Sequence, residues 1–215
     1  MNKLYKIVVL LIICLLTTIS IFIIYQKTYV DVYTFLSIGD GLSLGLNPSE
    51  IKSYGYNEYI KTYFKNKNIK YDYFNYSEKN ISIKELTNEL IYMNNTILEE
   101  YLRKSDIVVL SIGEYEINSN KTIANIEKDL DYLINEIKKY NNNICLLSKY
   151  YFNEDTTKID ELNKTYKELS KKHKLKYINI DYTSLYLTNN NTLYPNLKGY
   201  ENISFSIIKA MEIWL

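Results

Sequence analysis

The chain has 215 residues, with 26 Lys and Arg against 25 Asp and Glu for a formal charge of +1. That balance excludes a global field suited to nucleic acid or an acidic polymer. Hydrophobic residues at 47% and aromatic residues at 14% exclude wholesale disorder, and the length suits one buried core with an appendage.

The appendage comes first. From Ile7 to Tyr25 no residue is charged, and only Thr17, Thr18 and Ser20 interrupt the apolar run. As a helix it would span about 28 Å, close to the thickness of a bilayer's hydrocarbon core. Lys3 and Lys6 precede it and Lys27 follows it, a positive-inside bias that puts the remainder of the chain outside the cytoplasm. No small-residue cleavage site follows Ser20, where Ile21-Phe22-Ile23-Ile24 is bulky. The expectation is a cytoplasmic N-terminus over 1–6, an uncleaved transmembrane signal anchor over 7–25, a polar linker over 26–32 and one domain over 33–215.

Cys14 falls in the expected span and Cys145 in the apolar run Ile144-Cys145-Leu146-Leu147. They cannot plausibly pair, so no disulfide framework is expected, and Cys145 reads as a small buried hydrophobe. One histidine and no Cys/His cluster give no support for a metal, and no cofactor is expected. Arg103 is the only arginine, and 24 tyrosines with many asparagines suggest the coding bias of a low-GC bacterium.

Strand-like runs at Val32–Ile38, Ile69–Phe74, Asp106–Ile112, Asn143–Ser148 and Leu175–Ile180 alternate with helical spacing. The helical stretches are Tyr56–Asn66, Ile83–Lys104, Ile123–Tyr140, Ile159–His173 and Leu197–Leu215. This alternation predicts an α/β domain with a parallel sheet covered on both faces. Sites in such sheets lie outside the carboxyl ends of the strands, so the loops Gly39–Gly45, Asn75–Ser82, Gly113–Glu116 and Tyr182–Tyr194 should meet at one edge.

The first of these loops carries Ser37-Ile38-Gly39-Asp40-Gly41-Leu42-Ser43. It resembles the Gly-Asp-Ser-Leu-Ser/Thr nucleophile block of the SGNH/GDSL hydrolases, with Gly41 where the family has its nucleophilic serine. Val108-Val109-Leu110-Ser111-Ile112-Gly113 followed by Glu114-Tyr115-Glu116 is similar to the family strand ending in Gly-x-Asn-Asp. Tyr115 stands in place of the oxyanion-binding Asn, and Glu116 in place of Asp. Asn80 aligns with the family's oxyanion-hole glycine, next to a helix N-cap region ending at Ser82. Tyr194-Pro195-Asn196-Leu197-Lys198-Gly199-Tyr200 resembles His-Pro-Asn-x-x-Gly-Tyr, with Tyr194 at the base position and Asn191 where the supporting Asp belongs.

The resemblance implies a three-layer α/β/α domain with a parallel five-stranded sheet of SGNH/flavodoxin-like topology, which follows the one transmembrane helix that the apolar run over 7–25 predicts. It also implies that the catalytic positions Gly41, Asn80, Tyr115, Asn191 and Tyr194 are degenerate. A glycine has no nucleophile, and a phenol with pKa near 10 is a poor base near neutrality. The only histidine, His173, lies in Lys171-Lys172-His173-Lys174 at the opposite edge and reads as a solvated surface residue.

The reading is a membrane-anchored, extracytoplasmic pseudoenzyme that binds a cell-wall glycan or an envelope protein, with no nucleic-acid partner. Its candidate ligand-binding residues are Asp40, Ser43, Asn80, Tyr115, Glu116, Asn191 and Tyr194. Two alternatives stand beside it. One is an active esterase, acylhydrolase or acyl-transfer enzyme using Ser43 or an acid such as Glu116. The other is a structural role resting on Tyr-rich runs such as Tyr71–Tyr76 and Tyr150–Phe152.

Overall fold

A computed structural model describes residues 9–20, 32–92, 96–149, 157–180 and 194–211. The chain divides into two compact units, Met1–Val32 and Tyr33–Leu215. In the first, residues 9–20 form helix α1, and its apolar side chains from Val9 to Ile19 are exposed. Among the described residues no helix is long and apolar enough to cross a membrane. The expected span over 7–25 extends at both ends beyond the described helix.

The second unit is built on five strands: β1 (Tyr33–Gly39), β2 (Tyr71–Ser77), β3 (Ile107–Ser111), β4 (Ile144–Leu147) and β5 (Lys176–Ile178). Their order is β2-β1-β3-β4-β5 and every pairing is parallel. The helices are α2 (Gly41–Leu44), α3 (Tyr56–Asn66), α4 (Ile83–Ile91), α5 (Thr96–Lys104), α6 (Glu114–Asn118), α7 (Ile123–Lys138), α8 (Thr157–His173) and α9 (Leu197–Met211).

Side chains that alternate along a strand belong to opposite faces of the sheet, and the core divides accordingly. Leu36, Ile38, Val108, Leu110, Ile144 and Leu146 pack with residues of α4, α5, α7 and α8. Phe35, Ile107, Val109, Cys145 and Leu147 pack with Tyr56, Ile60 and Phe64 of α3 and with Tyr200, Ile203 and Ile207 of α9. The five-stranded parallel α/β architecture is therefore the expected one. Burial raises the Cys145 thiol to about 12, which keeps it a neutral hydrophobe.

Three departures from expectation have physical causes. The stretch expected as one helix over Ile83–Lys104 forms α4 and α5, and the sequence between them holds Asn94 and Asn95, a residue type of low helix propensity. Strand β2 runs three residues past its expected end because each residue up to Ser77 has a partner on β1; pairing overrides the polarity of Asn75 and Ser77. His173, expected to be solvated, is only 8% exposed, and its Nε2 lies 2.6 Å from Asp131 Oδ1. The partner on α7 is what permits a polar ring under that helix end.

Leu110, fully buried at the centre of the sheet, tests this account. Leu110→Ala is expected to lower unfolding stability by about 2–5 kcal/mol, read as a shift in the urea midpoint at constant slope.

Candidate functional site

Strand β1 ends in a glycine because the chain must pass against β3. Gly39 has φ of +135°, and a Cβ there would overlap the Ser111 carbonyl. The Asp40 N–H donates to Ser111 O at 2.8 Å, fixing the loop on β3. The chain then enters α2, leaving Asp40 and Gly41 at the carboxyl edge of the sheet.

Asp40 is fully buried. Its Oδ2 accepts from the Glu114 N–H at 3.1 Å and is ion-paired with Lys149 Nζ, while Ser111 Oγ donates to Oδ1 at 3.3 Å. Lys149 also donates to Ser111 Oγ at 3.0 Å. The lysine's backbone is clamped by Asn163 of α8, whose Oδ1 accepts from Lys149 N–H at 2.7 Å and whose Nδ2 donates to Lys149 O at 2.8 Å.

Around Gly41 lies a second cluster. Its N–H donates to Glu114 Oε2 at 3.0 Å, and Glu114 Oε1 accepts from the Tyr194 hydroxyl. Tyr194 is 2% exposed. A Cβ placed on Gly41 would lie 2.6 Å from the Tyr194 ring carbons Cε1 and Cζ and closer still to Oη. The space a nucleophile's side chain would need is therefore filled by the phenol at the base position. Burial and then the Asp40 charge push the Glu114 carboxyl upward, against the pull of Tyr194, Lys149 and the Gly41 N–H. Burial, followed by Glu114, holds the Tyr194 phenol far above its ordinary range, so it offers no base.

The remaining expected site residues are scattered in environment. Ser43 is fully buried; its hydroxyl lies 2.9 Å from the Tyr56 hydroxyl, which in turn lies 2.5 Å from Ser37 Oγ. Glu116 is fully buried, and its Oε1 accepts from the Ile83 N–H at 2.9 Å at the start of α4. Burial is the first cause that raises its carboxyl. Asn80 is exposed with φ of +60°, the left-handed conformation that asparagine tolerates. Ser82 caps α4 in a reciprocal arrangement with Glu85. Tyr115 is 44% exposed. Asn191 lies outside the described residues. Of the residues expected to line a cleft, Asp40, Ser43, Glu116 and Tyr194 are interior groups: the polar atoms of Asp40, Ser43 and Tyr194 find partners within the fold, while Glu116 is held through Oε1 and its buried Oε2 has no hydrogen-bond partner among the described residues.

Sequence reasoning passed over Glu114 and Lys149. Glu114 occupies the variable position of the third block, where the family pattern gives no signal. Lys149 follows β4, and a lysine just past an apolar strand at the carboxyl edge was the available sign. Among the described residues no group of His, Cys, Asp or Glu side chains is placed to hold a metal ion; the Asp40 and Glu114 carboxylates face Lys149, Tyr194 and backbone N–H groups.

No protein-family model matches the sequence, and no curated protein matches it. Solved structures do. A lipase/acylhydrolase from Enterococcus faecalis is 21% identical with a TM-score of 0.70, covering 86% of this chain and 97% of its own. TesA is 15% identical with a TM-score of 0.70, covering 85% and 99%. An acetylxylan esterase, Axe2 from Geobacillus stearothermophilus, is 14% identical with a TM-score of 0.64, covering 84% and 94%. The fold is that of the SGNH/GDSL hydrolases. Within that SGNH-like fold, the carboxyl edge of this chain is packed with its own side chains around Gly41.

Two outcomes follow from the packing. Gly41→Ser is expected to cost about 1–3 kcal/mol by overpacking against Tyr194. The same change should cost much less in a Tyr194→Ala background, read as a coupling energy from thermal unfolding; equal costs in both backgrounds would remove the clash. The second outcome concerns pH. A carboxyl whose pKa is raised in the folded state stabilises the fold below its ordinary value of 4.5 and loses that contribution as pH rises through the folded value. From pH 4.5 upward, stability of Glu114→Gln should therefore fall less steeply than that of the unaltered chain.

Proposed function

We propose that residues 33–215 are a non-hydrolytic SGNH-fold module of a bacterial cell envelope, acting by binding or scaffolding rather than by cleaving an ester. The observation that carries this reading is the phenol of Tyr194 in the space above Gly41, tied to Glu114. Ester hydrolysis in this fold needs a nucleophile and a base that reach a carbonyl together. Here the first position has no side chain and the second is a buried, neutral phenol.

Membrane attachment through residues 7–25 is part of the proposal. The described part of that segment, α1, exposes apolar side chains along its length. Its three polar residues are satisfied internally: Thr17, Thr18 and Ser20 hydroxyls donate to the carbonyls of Cys14, Leu15 and Leu16 at 2.8, 2.9 and 2.8 Å. A helix in hydrocarbon requires such internal satisfaction. With Lys3 and Lys6 on one side, the module would face away from the cytoplasm.

The esterase alternative draws support from the similar structures, which include a lipase/acylhydrolase and an acetylxylan esterase, and Ser43 is its nucleophile. A hydroxyl with no exposed surface, held between Ile38 O and Tyr56, is poorly placed for attack. The two readings separate in one assay. The purified full chain is expected to turn over short acyl esters and acetylated glycans at the rate of buffer. Turnover above buffer that Ser43→Ala abolishes would overturn the proposal.

A further inference from the structure

On the face of the sheet covered by α4 and α7, the two helices pack against each other and leave a groove of about 430 Å³ between them. Its walls are graded in chemistry. Glu116 marks the end nearest the carboxyl edge: its Oε1 accepts from Ile83 N–H at the start of α4 and lies 3.9 Å from Lys121 Nζ just before α7. Lys84 on α4 and Lys121 therefore stand together at this end, with Lys128 further along α7. Asn88 and Asn125, one turn on from Lys84 and Lys121, are exposed amides, and Lys128 lies beyond Asn125. At the far end are Tyr92, 74% exposed, and Tyr132, 50% exposed.

Lys121 is answered by carboxylates, Asp129 at 3.0 Å and Glu116 at 3.9 Å, with Glu85 also near it; among the described lining residues Asp129 is the one carboxylate. Lys84 and Lys128 have no ion pair among the described residues. From Lys84 to Tyr92 is about 12 Å along the helix. Along α4 an ammonium, an amide and a bare aromatic ring follow one another at about one-turn spacing, and on α7 Lys128 lies between Asn125 and Tyr132; together these groups suit a sugar that bears acid groups. Lysines attract an acid group, amides exchange hydrogen bonds with hydroxyls, and a tyrosine ring offers an apolar face with a polar tip to a sugar ring.

We propose that the α4–α7 groove binds a short acidic oligosaccharide, its acid groups at Lys84 and Lys128 and a sugar ring on Tyr92 and Tyr132. None of these residues belongs to the cluster around Gly41, so the groove binds its ligand whether or not that cluster turns over an ester.

Titration calorimetry on the full chain in detergent, with trigalacturonic acid as the probe, tests this. Binding is expected, about tenfold weaker for the neutral galactotriose. Tyr92→Ala with Tyr132→Ala, and separately Lys84→Gln with Lys128→Gln, should each weaken it about tenfold. These side chains are exposed, so the unfolding midpoint of both variants should match that of the unaltered chain and separate lost binding from lost fold. Absence of trigalacturonate binding overturns the proposal. So does undiminished binding in either double variant, equal affinity for the neutral sugar, or equal affinity for an oligothymidylate of similar charge.

Discussion

A carboxylate with no surface in water must have its charge answered within the fold, and Asp40 sets that demand on everything around it. Its neighbours come from three parts of the chain: Lys149 after β4, Ser111 at the end of β3 and the Glu114 N–H at the start of α6. Removing an ion from water costs several kcal/mol unless partners and geometry repay it. The ends of β1, β3 and β4 are therefore held together by one buried charge pair rather than by apolar contact alone. Asn163 extends the hold to α8 by fixing the lysine's backbone.

That same anchoring explains why the exchange at Gly41 and Tyr194 is coherent. Once Glu114 receives the Gly41 N–H on one oxygen, its other oxygen is free to receive a hydroxyl, and Tyr194 supplies it. A phenol reaches further than an imidazole and needs the volume that a Cβ at Gly41 would take. Glycine at one position and tyrosine at the other are thus two halves of one packing solution. Interiors tolerate neither overlap nor voids without cost, so drift at either position alone would be resisted. The packing by itself is enough to keep the loop in place.

Much of this was legible in the residues. Alternating apolar runs gave the sheet and both covered faces, because period-2 and period-3.6 patterns report burial directly. Gly41, Tyr115 and Tyr194 were visible as departures from a motif. Lys149 and Glu114 were not, since Lys149 meets Asp40 across 109 positions and Glu114 meets Gly41 and Tyr194 across 73 and 80, separations that no local pattern records. His173 was misjudged for a related reason: three lysines beside it suggested solvent, while its partner Asp131 lies on another helix.

Glu116 carries the last consequence of the retained framework. The family pattern places an Asp here, and the longer glutamate spans from α6 to the first N–H of α4, where the helix dipole favours a negative group, while facing Lys121 before α7. One side chain thereby reaches the start of α4 and the residue just before α7. Those two helices form the walls of the lysine-to-tyrosine groove, so Glu116 touches the start of each wall. That flank lies apart from the carboxyl edge, where Tyr194 fills the space above Gly41.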